Sequence, residues 1–320
     1  MFFFFSFSFF SLAHAQSIPG ISEPVTLGIS PRFPKPDTTV TITAQSFSTD
    51  LNRAGFSWIS GGKVIKQGTG VMSVSVPSGK AGSLTSISVT VTTIDIGTIS
   101  QELSWRPADV TLVWKSDGYV PPFYKGKALE SYGASFRVTA IPEFFTAGKR
   151  LDPKTLVYTW KKNGTIDPNQ LGYGKDSFTG SQTSYIRGGD DINVEVSNSD
   201  GSIISTKTIT ISPGIPEIVF YEDSPLYGIQ YEKALNGTFN LIAEEVALRA
   251  EPFNVSINNS FTGLNLDWSI NGDSVPSFKD KNKIILRKTG SVGGQSTVGL
   301  SIQHQTKLLQ GGTASINIIQ

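Results

Sequence analysis

The stretch that decides the fold is Tyr158-Thr159-Trp160-Lys161-Lys162-Asn163-Gly164. A tryptophan followed by a glycine-containing turn recurs at 56–62 (FSWISGG) and at 266–272 (LDWSING). The three tryptophans stand about 100 residues apart, which is the size of one immunoglobulin domain. The sequence therefore predicts three copies of one structural unit, each with a core tryptophan: Trp58, Trp160 and Trp268.

Short runs of alternating β-branched and polar residues surround each tryptophan. Examples are 40–44 (VTITA), 192–196 (INVEV) and 298–302 (VGLSI). Such alternation places one face of a strand inward and the other in solvent. Glycine, proline, asparagine and aspartate separate the runs, as in antiparallel sandwiches. We therefore predict an all-β chain of three tandem antiparallel Ig-like β-sandwich domains after a signal peptide.

The repeat also predicts the domain boundaries. Pro107 and Pro213 occupy equivalent places, and Lys-Ala-Leu follows each of them at 127–129 and 233–235. Proline lacks a donor for a sheet ladder, so it suits a junction. We predict Ig-like domains at 16–106, 107–213 and 214–320. The connections between them are very short, which favours a semi-rigid rod over freely jointed beads.

The first residues are typical of a secretory signal peptide. Residues 2–12 are almost wholly phenylalanine, serine and leucine, and the triplet Ala13-His14-Ala15 follows. A short apolar run ending in a small-x-small triplet is the pattern of a cleaved leader. It is shorter than the roughly 20 residues needed to span a bilayer. We predict a signal peptide at 1–15, a secreted, periplasmic or cell-surface location, and no stable membrane insertion after cleavage.

The composition excludes several classes of function. There is no cysteine, which excludes disulfide scaffolds, cysteine zinc sites and thiol catalysis, and there are only 2 histidines. Lys+Arg is 27 and Asp+Glu is 26, so the net charge of +1 gives no electrostatic case for nucleic acid or anionic membrane.

These features resemble the immunoglobulin-like and PKD-like β-sandwich modules of bacterial exported proteins. The likeness rests on the strand pattern, the three core tryptophans and the Asn-Gly or Gly-Gly turn after each. The segment 114–129 (WKSDGYVPPFYKGKAL) also resembles one in exported proteins of candidate-phylum bacteria. Those proteins carry tandem sandwich domains, so the resemblance implies an envelope or pilus-associated compartment. It implies no activity.

Candidate catalytic residues are few. Acid–base catalysis by carboxylates needs two of them in one cleft. Asp190-Asp191 is the obvious pair, but it follows Gly188-Gly189, so we expect a solvated turn. Glu244-Glu245 is interpreted as solvated edge charge. Serine catalysis needs a base, usually histidine, and only His304 remains after the leader, at a strand end or hairpin. We therefore predict that the protein is not an enzyme.

A structural calcium ion is the alternative to having no cofactor at all. Clustered carboxylates hold calcium in extracellular sandwiches, and six aspartates fall in predicted loops or junctions. They are Asp109, Asp117, Asp190, Asp191, Asp200 and Asp223. No Asp-x-Asp-x-Asp run joins them, so we expect no metal site.

The most informative loop is aromatic. It runs Tyr119-Val120-Pro121-Pro122-Phe123-Tyr124. Aromatic faces stiffened by proline can stack on sugars or dock a protein. The competing interpretation is that Pro121 and Pro122 stiffen a junction while Phe123 and Tyr124 pack against the next domain. A parallel segment at 224–231 (SPLYGIQY) favours packing, because it recurs at the same repeat position.

Two main functions remain after these exclusions, and a hydrolase whose carboxylates come together only in the fold is a third, less favoured alternative. The first is a non-enzymatic exported protein that acts as a structural or interaction component at the cell envelope, in adhesion or a pilus. The alternative is a carbohydrate- or protein-binding module whose ligand contacts Tyr119, Pro121, Pro122, Phe123 and Tyr124. The expected partners are envelope or surface proteins, or glycans, and not nucleic acid.

Overall fold

A computed structural model describes residues 24–184, 188–257, 261–276, 280–288 and 293–320. The predicted signal peptide lies outside these residues. The described chain forms two compact units. The first holds residues 24–32, 38–78 and 85–105, and the second holds 33–37, 79–84 and 106–320.

The first unit is a seven-stranded sandwich. Its strands are β1 (Thr26–Ser30), β2 (Thr39–Gln45), β3 (Gly55–Ser60), β4 (Lys63–Thr69), β5 (Ser73–Pro77), β6 (Thr85–Thr93) and β7 (Gly97–Trp105). One sheet has the order β1-β2-β5 and the other β4-β3-β6-β7, and every pairing is antiparallel. A 3₁₀ turn spans Leu51–Arg53.

Strand β2 explains why these residues form a sandwich. Along Thr39–Gln45 the buried residues are Val40, Ile42 and Ala44, while Thr39 and Gln45 are exposed. This period of two is the one that the sequence predicts. The buried faces of both sheets meet in one core around Trp58.

The second unit contains two sandwiches, which we call the second and the third sandwich of the chain. The strands of the second sandwich lie between Asp109 and Ile211. Its strands are β8 (Asp109–Ser116), β9 (Ser135–Glu143), β10 (Phe145–Thr146), β11 (Lys149–Arg150), β12 (Val157–Lys162), β13 (Thr165–Ile166), β14 (Gly172–Tyr173), β15 (Ser177–Ser181), β16 (Asp190–Ser197) and β17 (Ile204–Ile211). The sheet orders are β8-β9-β15 and β13-β12-β16-β17, with β14 also on β12 and β10–β11 as a separate hairpin. Two 3₁₀ turns span Pro153–Thr155 and Pro168–Gln170.

The third sandwich completes the chain. Its strands are β18 (Glu217–Ser224), β19 (Gly228–Ile229), β20 (Thr238–Asn240), β21 (Glu245–Phe253), β22 (Leu264–Ile270), β23 (Asp273–Val275), β24 (Lys283–Arg287), β25 (Gln295–His304) and β26 (Gly311–Ile319). One sheet has the order β19-β18-β21-β24 and the other β20-β26-β25-β22-β23. Strand β20 runs parallel to β26, and the other pairings of these sheets are antiparallel.

The tryptophans sit at one equivalent position in the three sandwiches. Each is buried in the middle of a strand, on β3, β12 or β22. Each indole Nε1 donates to a backbone carbonyl two residues before β5, β15 or β24, which fixes the ring in its core. The donor–acceptor distances are 2.8 Å for Trp58 to Val71, 2.8 Å for Trp160 to Lys175 and 2.9 Å for Trp268 to Lys281.

The turns after two of these strands also share one geometry. Asn163 and Asn271 have positive φ angles of 50° and 52°, a conformation in which asparagine is favoured among non-glycine residues. Their side-chain oxygens accept from the backbone N–H of Asp191 and Thr297, at 2.9 and 2.8 Å. The all-β, Ig-like sandwich fold is confirmed. The precise domain boundaries stay a prediction.

Candidate functional site

The segment that connects β8 to β9 leaves the second sandwich and crosses to the third. No strand forms between Asp117 and Ala134, and all of these residues are described. Asp117 anchors its start: the backbone N–H donates to the carbonyl of Ser135, and the carboxylate accepts from the N–H of Ser135, both at 3.0 Å. A Cβ on Gly118 would lie 1.8 Å from the carbonyl oxygen of Leu129. Only glycine permits this close approach.

Tyr119 inserts from this segment into the third sandwich. Its side chain is buried and belongs to the hydrophobic core around Trp268. The backbone N–H donates to the carbonyl of Val255 at 2.8 Å, and the ring lies 5.5 Å from that of Phe261. The phenol donates to Oε2 of Glu251 at 2.9 Å. Tyr119, which follows strand β8 of the second sandwich, therefore belongs to the core of the third sandwich.

Phe123 extends the same contact. Its ring lies 5.4 Å from Tyr221, 4.3 Å from Tyr231 and 6.3 Å from Phe253, centroid to centroid. Tyr124 also reaches Phe253, with edge-to-face rings 6.5 Å apart. Aromatic pairs at such separations stabilise by about 0.5–1.5 kcal/mol beyond the area they bury. We call the contacts of Tyr119, Phe123 and Tyr124 with the third sandwich the aromatic junction.

The two prolines of the loop differ in their exposure to solvent. Pro121 is buried and Pro122 is exposed. The carbonyl of Pro121 accepts from the N–H of Tyr124 at 2.9 Å, which closes a tight turn. The rings of Phe123 and Tyr124, at the end of this turn, both contact Phe253. Tyr119 is thus covered by protein, and Phe123 is half-buried.

Glu251 is the polar centre of the aromatic junction. Its side chain is 1% exposed, and it accepts from Tyr119 at 2.9 Å and from Tyr231 at 3.1 Å. Burial raises the pKa of Glu251, and the two phenols oppose that shift by stabilising the charged form. Burial and the nearby carboxylate raise the pKa of Tyr231 to about 12 and also raise the pKa of Tyr119. Both phenols therefore remain donors at physiological pH.

Gln310 makes a second polar contact across the same boundary. It is fully buried, and its Nε2 donates to the carbonyl of Tyr132 at 2.6 Å. Its Oε1 accepts from the N–H of Ser256 at 2.9 Å. The chain that connects β17 to β18 also contacts the segment between β8 and β9, because the N–H of Gly214 donates to the carbonyl of Glu130 at 2.8 Å.

Glu130 is a buried carboxyl group beside this connection. Neither of its side-chain oxygens has hydrogen-bond geometry with a donor among the described residues. Burial, chiefly, raises the pKa of Glu130 to about 7. Asp117 and Asp190 add to the shift, whereas the Ser116 hydroxyl and the Lys307 ammonium oppose it. An unpaired buried charge is costly, so the neutral form is favoured here.

The expectation of a solvated turn is wrong for Asp190. This side chain is fully buried, and its oxygens contact Lys162 at 2.9 Å, Ser184 at 2.6 Å and Asn163 at 2.9 Å. Burial alone would raise its pKa. The hydrogen bonds, led by that of Ser184 and including the backbone N–H of Thr183, outweigh burial and lower the pKa. Gly188 and Gly189 before it are both at least partly exposed, so the local sequence does not indicate that Asp190 is buried.

The other candidate catalytic residues have ordinary partners. Asp191 is exposed and accepts from the Thr210 hydroxyl at 2.6 Å. Glu245 pairs with Arg287 on the neighbouring strand β24. His304 ends β25, as expected, and its Nδ1 accepts from the N–H of Lys307 at 3.1 Å within a turn.

Three of the aspartates considered for calcium have partners within their own surroundings. Asp223 pairs with Lys283 at 2.7 Å, and Asp109 pairs with Lys35 at 3.6 Å. Asp200 accepts from the N–H of Ser202 at 2.9 Å. Within the described ranges, no three His, Asp or Glu side chains are grouped so that they could hold a metal ion. Nor does that part of the chain contain a helix with the length and apolarity to cross a membrane.

Sequence reasoning named one side of the aromatic junction and missed the other. The sequence predicts the aromatic loop and shows the parallel segment 224–231, which contains Tyr231, but it does not pair the two. Glu251 and Phe253 are not predicted. Nothing near these two residues in the sequence indicates that the loop of the preceding sandwich covers them.

No protein-family model and no curated protein matches the sequence. Among solved structures, the three N-terminal domains of the highly immunogenic outer capsid protein (Hoc) of bacteriophage RB49 are 12% identical, with 92% of this chain and 98% of that chain covered and a TM-score of 0.27. The central fibronectin-III array of RIM-binding protein is 13% identical, with 93% and 97% covered and a TM-score of 0.29. A 1.5-MDa bacterial ice-binding adhesin is 11% identical, with 92% and 95% covered and a TM-score of 0.24. The fold assignment rests on the sheets themselves.

Proposed function

We propose that the protein is a non-enzymatic exported component of the cell envelope, with a structural or interaction role in adhesion or a pilus. The observation that carries the proposal is Tyr119, which leaves the second sandwich to complete the core of the third. A connection of this kind holds two modules in one fixed geometry. A fixed geometry suits a protein that presents a surface or transmits force more than one that needs its modules to move freely.

The roles of the candidate catalytic residues support a non-enzymatic function. Asp190, on β16, pairs with Lys162 at the end of the neighbouring strand β12. Glu245 is engaged with Arg287, and His304 accepts a backbone hydrogen bond in a turn. Each of these three candidate residues thus has a structural partner of its own.

The proposed location rests on the sequence. The apolar run at 2–12 and the Ala-His-Ala triplet support export, and the high serine and threonine content of the outward strand faces suits a solvated compartment. Partners at this location would be other envelope or surface proteins, or glycans.

Cell fractionation of the tagged protein tests the proposal most simply. We expect the processed chain in the envelope or outside the cell, and cross-linking there should recover a reproducible partner protein. A matched chain without residues 1–15 should stay in the cytosol. Full-length protein that remains in the cytosol with residues 1–15 attached would overturn the proposal.

The alternative function, a ligand site on the aromatic loop, requires that the same aromatic rings be accessible to a ligand. Phe123 lies 4.3 Å from Tyr231, and Tyr119 is buried. A sugar or peptide could stack on these rings only after the junction opened. The contacts therefore favour the packing role that the repeat of the loop already suggested.

A further inference from the structure

The aromatic junction uses two kinds of element. On the receiving side, besides the strands that carry Tyr221 and Phe253, is the β21–β22 loop, which supplies Val255 and Phe261. The adjoining β25–β26 loop supplies Gln310, which donates to the carbonyl of Tyr132 in the same connecting segment. On the inserting side is the stretch between the first two main strands of the preceding sandwich, β8 and β9. Both kinds of element recur elsewhere in the chain, because the sandwiches are repeats of one fold.

The receiving loops of the first sandwich carry an exposed apolar pair. The equivalent loops join β2 to β3 and β6 to β7. They lie side by side, since the Thr49 hydroxyl donates to Oδ1 of Asp95 at 2.8 Å. Phe47 and Ile94, on these two loops, are 102% and 92% exposed. No other large hydrophobic side chain in the described ranges has as high an exposure. We call Phe47 and Ile94 the loop patch.

The inserting stretch of the third sandwich carries a second exposed pair. It corresponds to the Tyr119 segment, because Lys-Ala-Leu follows at 127–129 in one and at 233–235 in the other. Here the chain folds into the tight β18–β19 turn, with Ser224 opposite Gly228. Leu226 and Tyr227 at its tip are 79% and 78% exposed. The Ser224 hydroxyl accepts from their backbone N–H groups at 3.4 and 3.3 Å, which holds the tip in shape.

The chemistry of the two pairs is complementary. In the aromatic junction, a tyrosine packs on apolar side chains while its phenol donates to the carboxylate of Glu251. The loop patch also places apolar side chains on loops that carry carboxylates, but these carboxylates are exposed, whereas Glu251 is buried. Hydrogen bonds from Asn52 and Thr49 lower the pKa values of Asp50 and Asp95, so both carboxylates are ionised beside Phe47 and Ile94. Tyr227 can supply the phenol. With the nearby Arg53 counted, these two carboxylates still leave a net negative charge, which disfavours insertion of Phe47 into an anionic membrane.

We propose that Leu226 and Tyr227 of one copy of this chain dock on the loop patch, Phe47 and Ile94, of a second copy. The two surfaces differ, so the contact is heterologous. After pairing, one copy keeps its loop patch unused and the other keeps its Leu226–Tyr227 tip unused, so association continues into an open chain or closes as a ring. Four side chains bury little area, so a single contact is weak and its population rises with protein concentration.

Matched variants can test this head-to-tail contact directly. Tyr227→Glu should disable the tip, and Phe47→Glu should disable the loop patch. Both side chains are exposed, so neither change should lower the melting temperature. Tyr173→Glu, which alters an aromatic residue 63% exposed on β14, is the control and should behave as the wild type.

The readout is molar mass by light scattering over a wide range of concentrations, on purified protein that lacks the apolar residues 1–15. We expect the wild type and Tyr173→Glu to grow in mass with concentration, and each blocking variant alone to remain a monomer. An equimolar mixture of the two blocking variants should reach twice the monomer mass and stop, because one intact tip meets one intact patch. A monomeric wild type at all concentrations, association of either variant alone, or a mixture that stays monomeric would overturn the proposal. Cell fractionation does not bear on this result, so the two proposals fail independently.

Discussion

The phenol of Tyr119 donates to Oε2 of Glu251 across 132 residues of sequence, at 2.9 Å. This bond lies inside the core of the third sandwich, yet its donor comes from a segment that begins at the end of β8. Two modules that could have been joined by a simple linker are instead joined by a shared core. A substitution in that core should therefore change the free energy of unfolding of both modules.

Removal of the phenol tests the polar part of the junction. Tyr119→Phe leaves the ring in place but takes one of the two donors from a buried carboxylate. We expect a loss of about 1.5–3 kcal/mol in the free energy of unfolding, the usual range for a bond to a charged group. Denaturant titration measures the loss. Tyr227→Phe, at an exposed phenol, should have no effect.

Removal of the second aromatic ring tests the apolar part. Phe123→Ala deletes contacts with Tyr221, Tyr231 and Phe253, and should cost about 3 kcal/mol, at the low end for such truncations because the ring is only partly buried. Thermal unfolding reports the change, with exposed Pro122→Ala as the control. An unaltered melting temperature would mean that the loop is free to serve a ligand.

The fold follows from local sequence because its determinants are local. Alternation along Thr39–Gln45 sets the buried face of β2, and Trp160 with Asn163-Gly164 marks a strand and its turn. The aromatic junction does not follow in the same way. The partners of Tyr119 lie in the next module, and nothing near Tyr119 in the sequence names Glu251.

Burial of charged groups was the least predictable feature. Asp190 follows two glycines and looks like part of an exposed turn, but the chain carries it inward to Lys162. Glu130 likewise lacks any local sign of burial. In both cases the environment is set by residues that are distant in sequence, so composition and periodicity carry no information about it.

The pH dependence of stability should reveal Glu130. Its pKa is about 7 in the folded chain and near 4.5 when unfolded, so the folded state holds the proton more tightly. Stability is then fully present below about pH 4.5, falls as the pH rises, and levels off above about pH 7, with a loss of about 2–3 kcal/mol.

Glu130→Gln should remove this part of the profile and stabilise the protein at pH 8. Unfolding measured from pH 5 to pH 8 in both proteins isolates the effect, because Glu251 is present in each. Parallel profiles for the two proteins would show that Glu130 does not titrate in this range.

The buried pair of Asp190 and Lys162 predicts a large effect of removing one partner. Lys162→Met leaves an ionised carboxylate with fewer donors and should cost about 3 kcal/mol, near the lower limit for breaking a buried pair, because Ser184 and Asn163 still donate. Adding Asp190→Asn to Lys162→Met should recover part of the loss. Unfolding free energies of the four proteins in this cycle measure the coupling; additive losses would contradict the pairing.

The central claim is that the second and third sandwiches are held in one geometry by the aromatic junction. The chain has no cysteine, so Ile166→Cys and Asp273→Cys place two spin labels cleanly on exposed edge strands of the two sandwiches. Electron–electron double resonance should give one narrow distance distribution, which broadens when Tyr119→Ala is added. A distribution that is already broad with Tyr119 intact, and does not change without it, would contradict the account.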